Sequence, residues 1–327
     1  MVTRRTFLAF APGLAAAVTC EGFVPAMAAE PWPTRPVRLI LTLGAGSGTD
    51  IGARLLSDKL AQRWGQPVIV DNRPGGDGLV AINAFVTAHD DHVLLFSPSS
   101  AFTAHQFLHD SLPYKPDDLV PITRVSNTVI AVSVPVSLGI NSLADLVALA
   151  RAEPGELNWA GVTGANEFMF AGWLKHEGLN ITEVPYRNPV DAANDLAEGR
   201  VQVYHAAMAI VRPQIDAGKV EMIAVTNAVR APARPDVPTA AEAGFPSLMV
   251  EGLVGLFGPP GMPLELRERI TSDIRAVADS TVADRLTLTG QFLNIGGPED
   301  FAKSIDEQRA VIAAYAKDLG IKPLQGN

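Results

Sequence analysis

The residues best placed to do chemistry form a glycine turn, Gly44-Ala45-Gly46-Ser47-Gly48-Thr49-Asp50, between an apolar run and a helix-like segment. Glycine lets the backbone approach a bound molecule closely. The first N–H groups of a helix have no internal partner, so such a turn is an anion cradle. Three more loops follow strand-like runs: Asn72-Arg73-Pro74-Gly75-Gly76, Ser97-Pro98-Ser99-Ser100 and Gly161-Val162-Thr163-Gly164-Ala165-Asn166. Each offers backbone, hydroxyl or amide donors and few fixed cations. Any one of them is explained as an ordinary turn, but four together point to capture of a small anion.

Competing chemistries are poorly furnished. There is no G-x-S-x-G elbow, and no catalytic residue, metal ligand or cofactor is assigned. His105 and His109 are spaced i, i+4, but no acidic residue stands between them as in H-E-x-x-H, so a solvated helix face is the preferred reading. Gly44 and Gly46 imitate the start of a dinucleotide fingerprint, with Asp71 ending the next strand. Thr49 occupies the position of the third glycine. An exported NAD(P)-dependent oxidoreductase using the Gly44-Ala45-Gly46 loop is the alternative function.

Positioning these loops requires alternating strands and helices. Val37–Leu43, Val68–Asp71 and Val93–Phe96 read as buried strands, with helices after Thr49 or Asp50 (either able to cap) and through Leu79, Ile82, Phe85 and Val86. Gly65 stops the first helix. A second set follows: a strand over Thr128–Val134, a helix capped by Ser142, strands at Asn158–Ala160, Thr182–Val184, Val201–Tyr204 and Met222–Val225, and helices over Asn166–His176 and Asp191–Glu198. Val250–Phe257 is strand-like, and helices over Leu264–Ala278 and Pro298–Leu319 end the chain, returning to the first lobe. The pattern predicts an α/β protein of two lobes, with mostly parallel sheets flanked by helices. Two crossings, near Val125–Val129 and Leu248–Leu253, give a hinged cleft. The boundaries fall at 29–127 plus 251–327 for lobe 1 and 128–250 for lobe 2.

Arg4 and Arg5 precede an apolar run from Phe7 to Val18, and Ala26-Met27-Ala28 is a small-x-small cleavage pattern. Residues 1–28 thus read as a signal peptide, also similar to a twin-arginine signal at Thr3–Leu8, with release to the periplasm after Ala28. An uncleaved anchor needs about 20 apolar residues, more than this run has. Acylation at Cys20 is a further alternative that Ala17-Val18-Thr19 fits poorly. The formal charge is −9, and −10 without Arg4, Arg5 and Glu21. An acidic chain without a basic cluster is not a nucleic-acid binder. Beyond Cys20 there is no cysteine, so no disulfide or thiol nucleophile. The mature chain reads as a soluble monomer.

Several segments together carry a family resemblance. They are Gly48-Thr49-Asp50 with Ala53-Arg54, Gly65-Gln66-Pro67-Val68-Ile69-Val70-Asp71-Asn72-Arg73-Pro74-Gly75, Pro154-Gly155-Glu156-Leu157-Asn158, Val184-Pro185-Tyr186-Arg187, Ala217-Gly218-Lys219 and Arg234-Pro235-Asp236-Val237-Pro238-Thr239-Ala240-Ala241-Glu242-Ala243-Gly244. The chain resembles the tripartite tricarboxylate transporter receptors, the Bug-type extracytoplasmic solute receptors. The resemblance implies a type II periplasmic-binding-protein-like fold closing on a small carboxylate, and a two-component membrane carrier as partner. It implies ligand contacts at Gly46, Ser47, Gly48, Thr49, Asp50, Gly75, Gly76, Ser97, Ser99, Gly164, Ala165, Asn166, Tyr186, Arg187 and His205. The carboxylate is expected on neutral donors in Gly46–Thr49 and Gly164–Asn166. Arg187 is the nearest charge partner unless it pairs with Glu183 or Asp191. The chain departs from the family pattern at Leu43-Gly44-Ala45-Gly46, Asp91-His92, Asn188 and His205, which bears on the ligand's identity.

Overall fold

A computed structural model describes residues 32–162 and 164–323. The leader features, Cys20 and Thr163 lie outside them. Val37–Leu41 (β1) is buried at every position except Arg38, as a strand covered on both faces must be. Gly48–Trp64 (α1) follows, ended by Gly65 in the left-handed conformation. Its cap is Ser47, whose hydroxyl accepts the Asp50 N–H, and neither Thr49 nor Asp50 takes that place. Val68–Asn72 (β2), Leu79–Val86 (α2) and Val93–Pro98 (β3) complete the first βαβ run. His105–Leu108 (α3) leads to Val120–Thr128 (β4).

The second lobe holds Ile130–Pro135 (β5), Leu143–Ala152 (α4), Asn158–Val162 (β6), Ala165–His176 (α5), Thr182–Tyr186 (β7), Pro189–Ala197 (α6), Val203–Ala207 (β8), Met208–Asp216 (α7) and Val220–Val225 (β9). Gly252–Gly258 (β10), Leu264–Val277 (α8), Ser280–Leu288 (α9), Gln291–Gly296 (β11) and Pro298–Leu319 (α10) end the chain. The expected single strand over Thr128–Val134 is two strands in different sheets, with Val129 between them. Pro121 and Arg124 inside β4, and Asn294 with Gly296 in β11, are what hid those strands.

The strand orders are β11-β4-β10-β3-β1-β2 and β7-β6-β8-β5-β9. Parallel pairing is confined to β1 with β2 and β3, and to β6 with β7 and β8. The remaining pairs are antiparallel. The sheets are therefore mixed, where mostly parallel ones were expected. Parallel neighbours need a crossover helix, whereas β5 and β10 enter their sheets by direct passage from the other lobe.

The two passages run side by side. Gly252 pairs with Thr128, and a Cβ on Gly252 would overlap the Thr128 carbonyl. The Glu251 carboxylate accepts from Asn127 Nδ2, from Asn227 Nδ2 at 3.1 Å and from the Ala228 N–H at 2.7 Å. Asn227 also accepts the Ile130 N–H and donates to the Thr128 carbonyl, each at 3.0 Å. Helix α10 serves both lobes. Phe301 and Ile305 pack with Ile40 and Phe257, while Ile312, Tyr315 and Ala316 pack with Phe170 and Trp173.

The α5–α10 contact depends on Gly172, where a Cβ would overlap the Tyr315 side chain. Gly172→Ala should cost about 1–3 kcal/mol by overpacking. Tyr315→Ala opens its own cavity but relieves the overlap, so the loss in the double variant should be smaller than the sum of the two single losses. Urea unfolding of the three variants measures it, and an unchanged midpoint for Gly172→Ala would refute the close approach.

Candidate functional site

A cavity of about 440 Å³ lies where strand ends from both lobes meet. Thr42–Gly44 follow β1, Pro74, Gly75, Asp77 and Gly78 follow β2, Pro98 ends β3 with Ser100 and Ala101 after it, and Val162 ends β6 with Gly164–Asn166 after it. Segment Tyr204–Ala207 belongs to β8, and the crossing residues Thr128, Ile130, Glu251 and Gly252 complete the lining. Carboxyl ends of parallel strands are where open α/β sheets bind ligands. Ile130, Val162, Ile210, Pro98 and Pro189 give apolar walls, and no Lys or Arg lines the cavity among the described residues. A larger cavity of about 620 Å³ opens beside α10, lined by Met169, Met249, Val311 and Tyr315 among others. It lacks converging strand ends and helix N-termini, so the smaller cavity is the candidate site.

Two helices present their N-termini here, and they differ. At α1 the Asp50 carboxylate accepts the Gly46 N–H at 2.9 Å, Arg54 Nε at 3.0 Å and Asn72 Nδ2 at 3.0 Å. Burial pushes the Asp50 carboxyl up, but the hydrogen bonds from Arg54, Gly46 and Asn72 outweigh it and leave the group below its ordinary value. The chain's own anion thus takes the Gly46 donor of this turn, and the nicotinamide alternative finds no support. At α5 the N-cap is Gly164, with φ 144°, and no side chain caps the helix. The first intrahelical bond is Phe168 N–H to the Gly164 carbonyl, so the Ala165, Asn166 and Glu167 N–H groups have no helical partner. Gly164, Ala165 and Asn166 line the cavity.

Of the residues expected from sequence, Thr49, Gly75, Gly164, Ala165, Asn166 and His205 line the cavity. The others do not, and several have internal partners. Ser47 caps α1. Ser97 Oγ lies 2.9 Å from Thr42 Oγ1, and Ser99 Oγ donates to Gln308 Oε1 at 2.6 Å, with both serines fully buried. The Tyr186 hydroxyl donates to Asp195 at 2.8 Å. Arg187 is exposed outside the lining and forms no ion pair with Glu183 or Asp191. Gly46, Gly48 and Gly76 shape the turns behind the wall, and Gly48 fits closely under Gln291 and Thr289.

Sequence reasoning missed Asp77, which follows a run assigned to a turn, and Glu251, which was read as part of a strand; Ser100 stood in a donor-rich loop without being singled out. The expectation of a solvated His105 is corrected. It is fully buried, with Nδ1 2.8 Å from the Tyr114 hydroxyl and Nε2 2.9 Å from the Asp77 carbonyl. At the Asp91-His92 departure, the His92 ring lies between the Thr34 N–H and the Asp91 carboxylate.

Residues 52–320 match the model of the tripartite tricarboxylate transporter family receptor. A UPF0065 protein of Bordetella bronchiseptica is 30% identical over 303 residues, spanning 92% of this chain and 90% of that relative. An R. palustris protein solved with adipate superposes with a TM-score of 0.75 at 28% identity, covering 90% of this chain and 100% of the other. MatC from Rhodopseudomonas palustris, solved with bound malate, gives 0.69 at 25% identity over 86% of this chain and 99% of the other.

Two groups beside the cavity titrate in opposite senses. His205 stacks on Phe170 with ring centroids 5.3 Å apart, and its Nδ1 lies 3.1 Å from the Asn166 carbonyl. Burial lowers it from 6.5 to about 4. Its contribution to stability is complete above about pH 6.5 and is lost as the pH falls towards 4, about 3 kcal/mol over the window. Burial, and then repulsion from Glu183, raise the Glu167 carboxyl from 4.5 to about 7, so its contribution is lost as the pH rises through the same range. His205→Gln removes the His205 loss and leaves the Glu167 gain unopposed, so the change in unfolding free energy as the pH falls from about 6.5 to 4 should be more positive than in wild type. Denaturant titrations across that range check it, and an unaltered slope would show that His205 is not held neutral by burial.

Proposed function

This chain belongs to the tripartite tricarboxylate transporter receptor family, a family of periplasmic solute-binding receptors, and on that premise we propose that it captures a small carboxylate with an aliphatic body in the cleft between its lobes. The observation that carries this reading is the uncapped N-terminus of α5, opening onto a cavity without a cation. Orphan N–H groups and the positive end of the helix dipole suit a carboxylate. The apolar walls suit methylene groups. Neutral donors hold an anion without the deep well that a bidentate arginine creates against release.

In this reading the lobes are 29–127 plus 251–327 and 128–250, and the ligand contacts are Thr49, Gly75, Gly164, Ala165, Asn166 and the β8 segment at His205, with Ser100 added. The leader is removed near Ala28, the mature chain is a soluble periplasmic monomer, and it hands its ligand to a two-component membrane carrier. Among the described residues no helix is long and apolar enough to cross a membrane. The adipate and malate of the two R. palustris structures make aliphatic dicarboxylates the first ligands to try.

A thermal-shift panel of dicarboxylates, tricarboxylates, amino acids and aromatic acids tests the reading. A true ligand should add about 2.7 kcal/mol of stability at a hundredfold excess over Kd. Ala165→Pro removes one donor at the first helical position, where proline is tolerated. It should weaken binding about ten- to hundredfold, as for a hydrogen bond to a charged group, with the unliganded melting point unchanged. Wild-type affinity in Ala165→Pro would place the carboxylate elsewhere.

A further inference from the structure

We propose that Asp77, His105 and His109 form a binding site for a divalent transition-metal ion of the zinc class at the margin of the cleft. His105 opens α3 and His109 caps its end, its N–H bonded to the His105 carbonyl at 3.0 Å, which brings the two side chains together. Their ring centroids are 4.9 Å apart with planes at 85°, which lets the two Nε2 atoms converge. Both Nε2 atoms lie 3.4 Å from Asp77 Oδ2, and the three ligand atoms fall within 4.8 Å of one another. A distance of 3.4 Å is long for a hydrogen bond. It matches the separation of about 3.3 Å between ligand atoms at 2.0–2.1 Å from a tetrahedral metal.

The surroundings fit the same purpose. His105 is fully buried and fixed, while the His109 and Asp77 side chains are 27% and 30% exposed, leaving an entry path. The Tyr114 hydroxyl, 2.8 Å from His105 Nδ1, both donates and accepts. Without an ion, Nε2–H donates to the Asp77 carbonyl and Tyr114 O–H donates to Nδ1. With an ion, the ring takes its other neutral tautomer, Nδ1–H donates to Tyr114, and Nε2 gives up its hydrogen bond to the Asp77 carbonyl and turns its lone pair to the metal. An N–H partner on the far side of the ring is the usual support of a metal-bound histidine. Asp77 itself is held at φ 54°, a region non-glycine residues rarely adopt, and it lines the cavity. An ion there offsets the negative charge Asp77 brings to a cavity meant for anions. Two imidazoles select zinc-, nickel- or cobalt-class ions over magnesium or calcium. The Asp90-Asp91-His92 cluster offers no comparable site, because it has a single imidazole and its two carboxylates already face Arg35.

Calorimetric titration of the tag-free, full-length mature protein with zinc chloride tests the site independently of any organic ligand. Wild type should bind one equivalent, with no heat from magnesium or calcium chloride. His109→Ala and Asp77→Asn alter partly exposed side chains, and each should weaken zinc binding at least about tenfold at an unchanged melting point. Should either variant misfold, the absorption of a four-coordinate ion in cobalt(II)-loaded wild type gives the same answer. The proposal is overturned if wild type does not saturate at one equivalent, if calcium binds comparably, if both folded variants bind zinc as wild type does, or if bound cobalt(II) shows only the hexa-aquo spectrum.

Discussion

The Glu251 carboxylate, bonded to Asn127, Asn227 and the Ala228 N–H where the chain passes twice between its lobes, is the interaction from which the cleft is laid out. A partly buried carboxylate must be met by donors, because an unpaired one is costly. Meeting it fixes β4, β5 and the start of β10 against one another. Those strands bring Thr128, Ile130 and Gly252 to the base of the cavity, and the close fit of Gly252 on the Thr128 carbonyl leaves no room for slippage. Two short adjacent passages form a natural hinge. Helix α10, packed into both cores, couples the lobes on one side.

From that base the two lobes contribute unequally. In the first, the Asp50 carboxylate takes the Gly46 N–H and so holds the Gly44–Gly46 turn in shape, while the Asp50 N–H goes to Ser47. The second leaves the N-terminus of α5 open. The Gly46 donor is thus used within the chain, while the Ala165, Asn166 and Glu167 N–H groups have no helical partner.

Much of this was legible in the sequence, and the failures have a common cause. Strand–glycine–helix periodicity located the βα units, and Ser142, Gly65 and Gly199 ended or began helices as their types suggest. Hydroxyl direction was not legible. Ser99 turns to Gln308, 209 residues away, and Ser97 turns to Thr42, so serines in a donor-rich loop became structural. Nor was the environment of the histidines. A lone i, i+4 pair reads as a solvated face until Tyr114 and Asp77 are folded onto it. His205 is one of the departures from the family pattern, and its burial against Phe170 keeps the ring neutral. The difference between α1 and α5 follows from one acidic side chain reaching back along its own helix, a contact that periodicity does not encode.

The most direct measurement is a 15N–1H amide titration of labelled protein with adipate. The account predicts that the largest shifts fall on Ala165, Asn166 and Glu167, with the Gly46 amide little moved because Asp50 already holds it. Saturable shifts centred on Gly46–Asp50, with α5 unmoved, would contradict it.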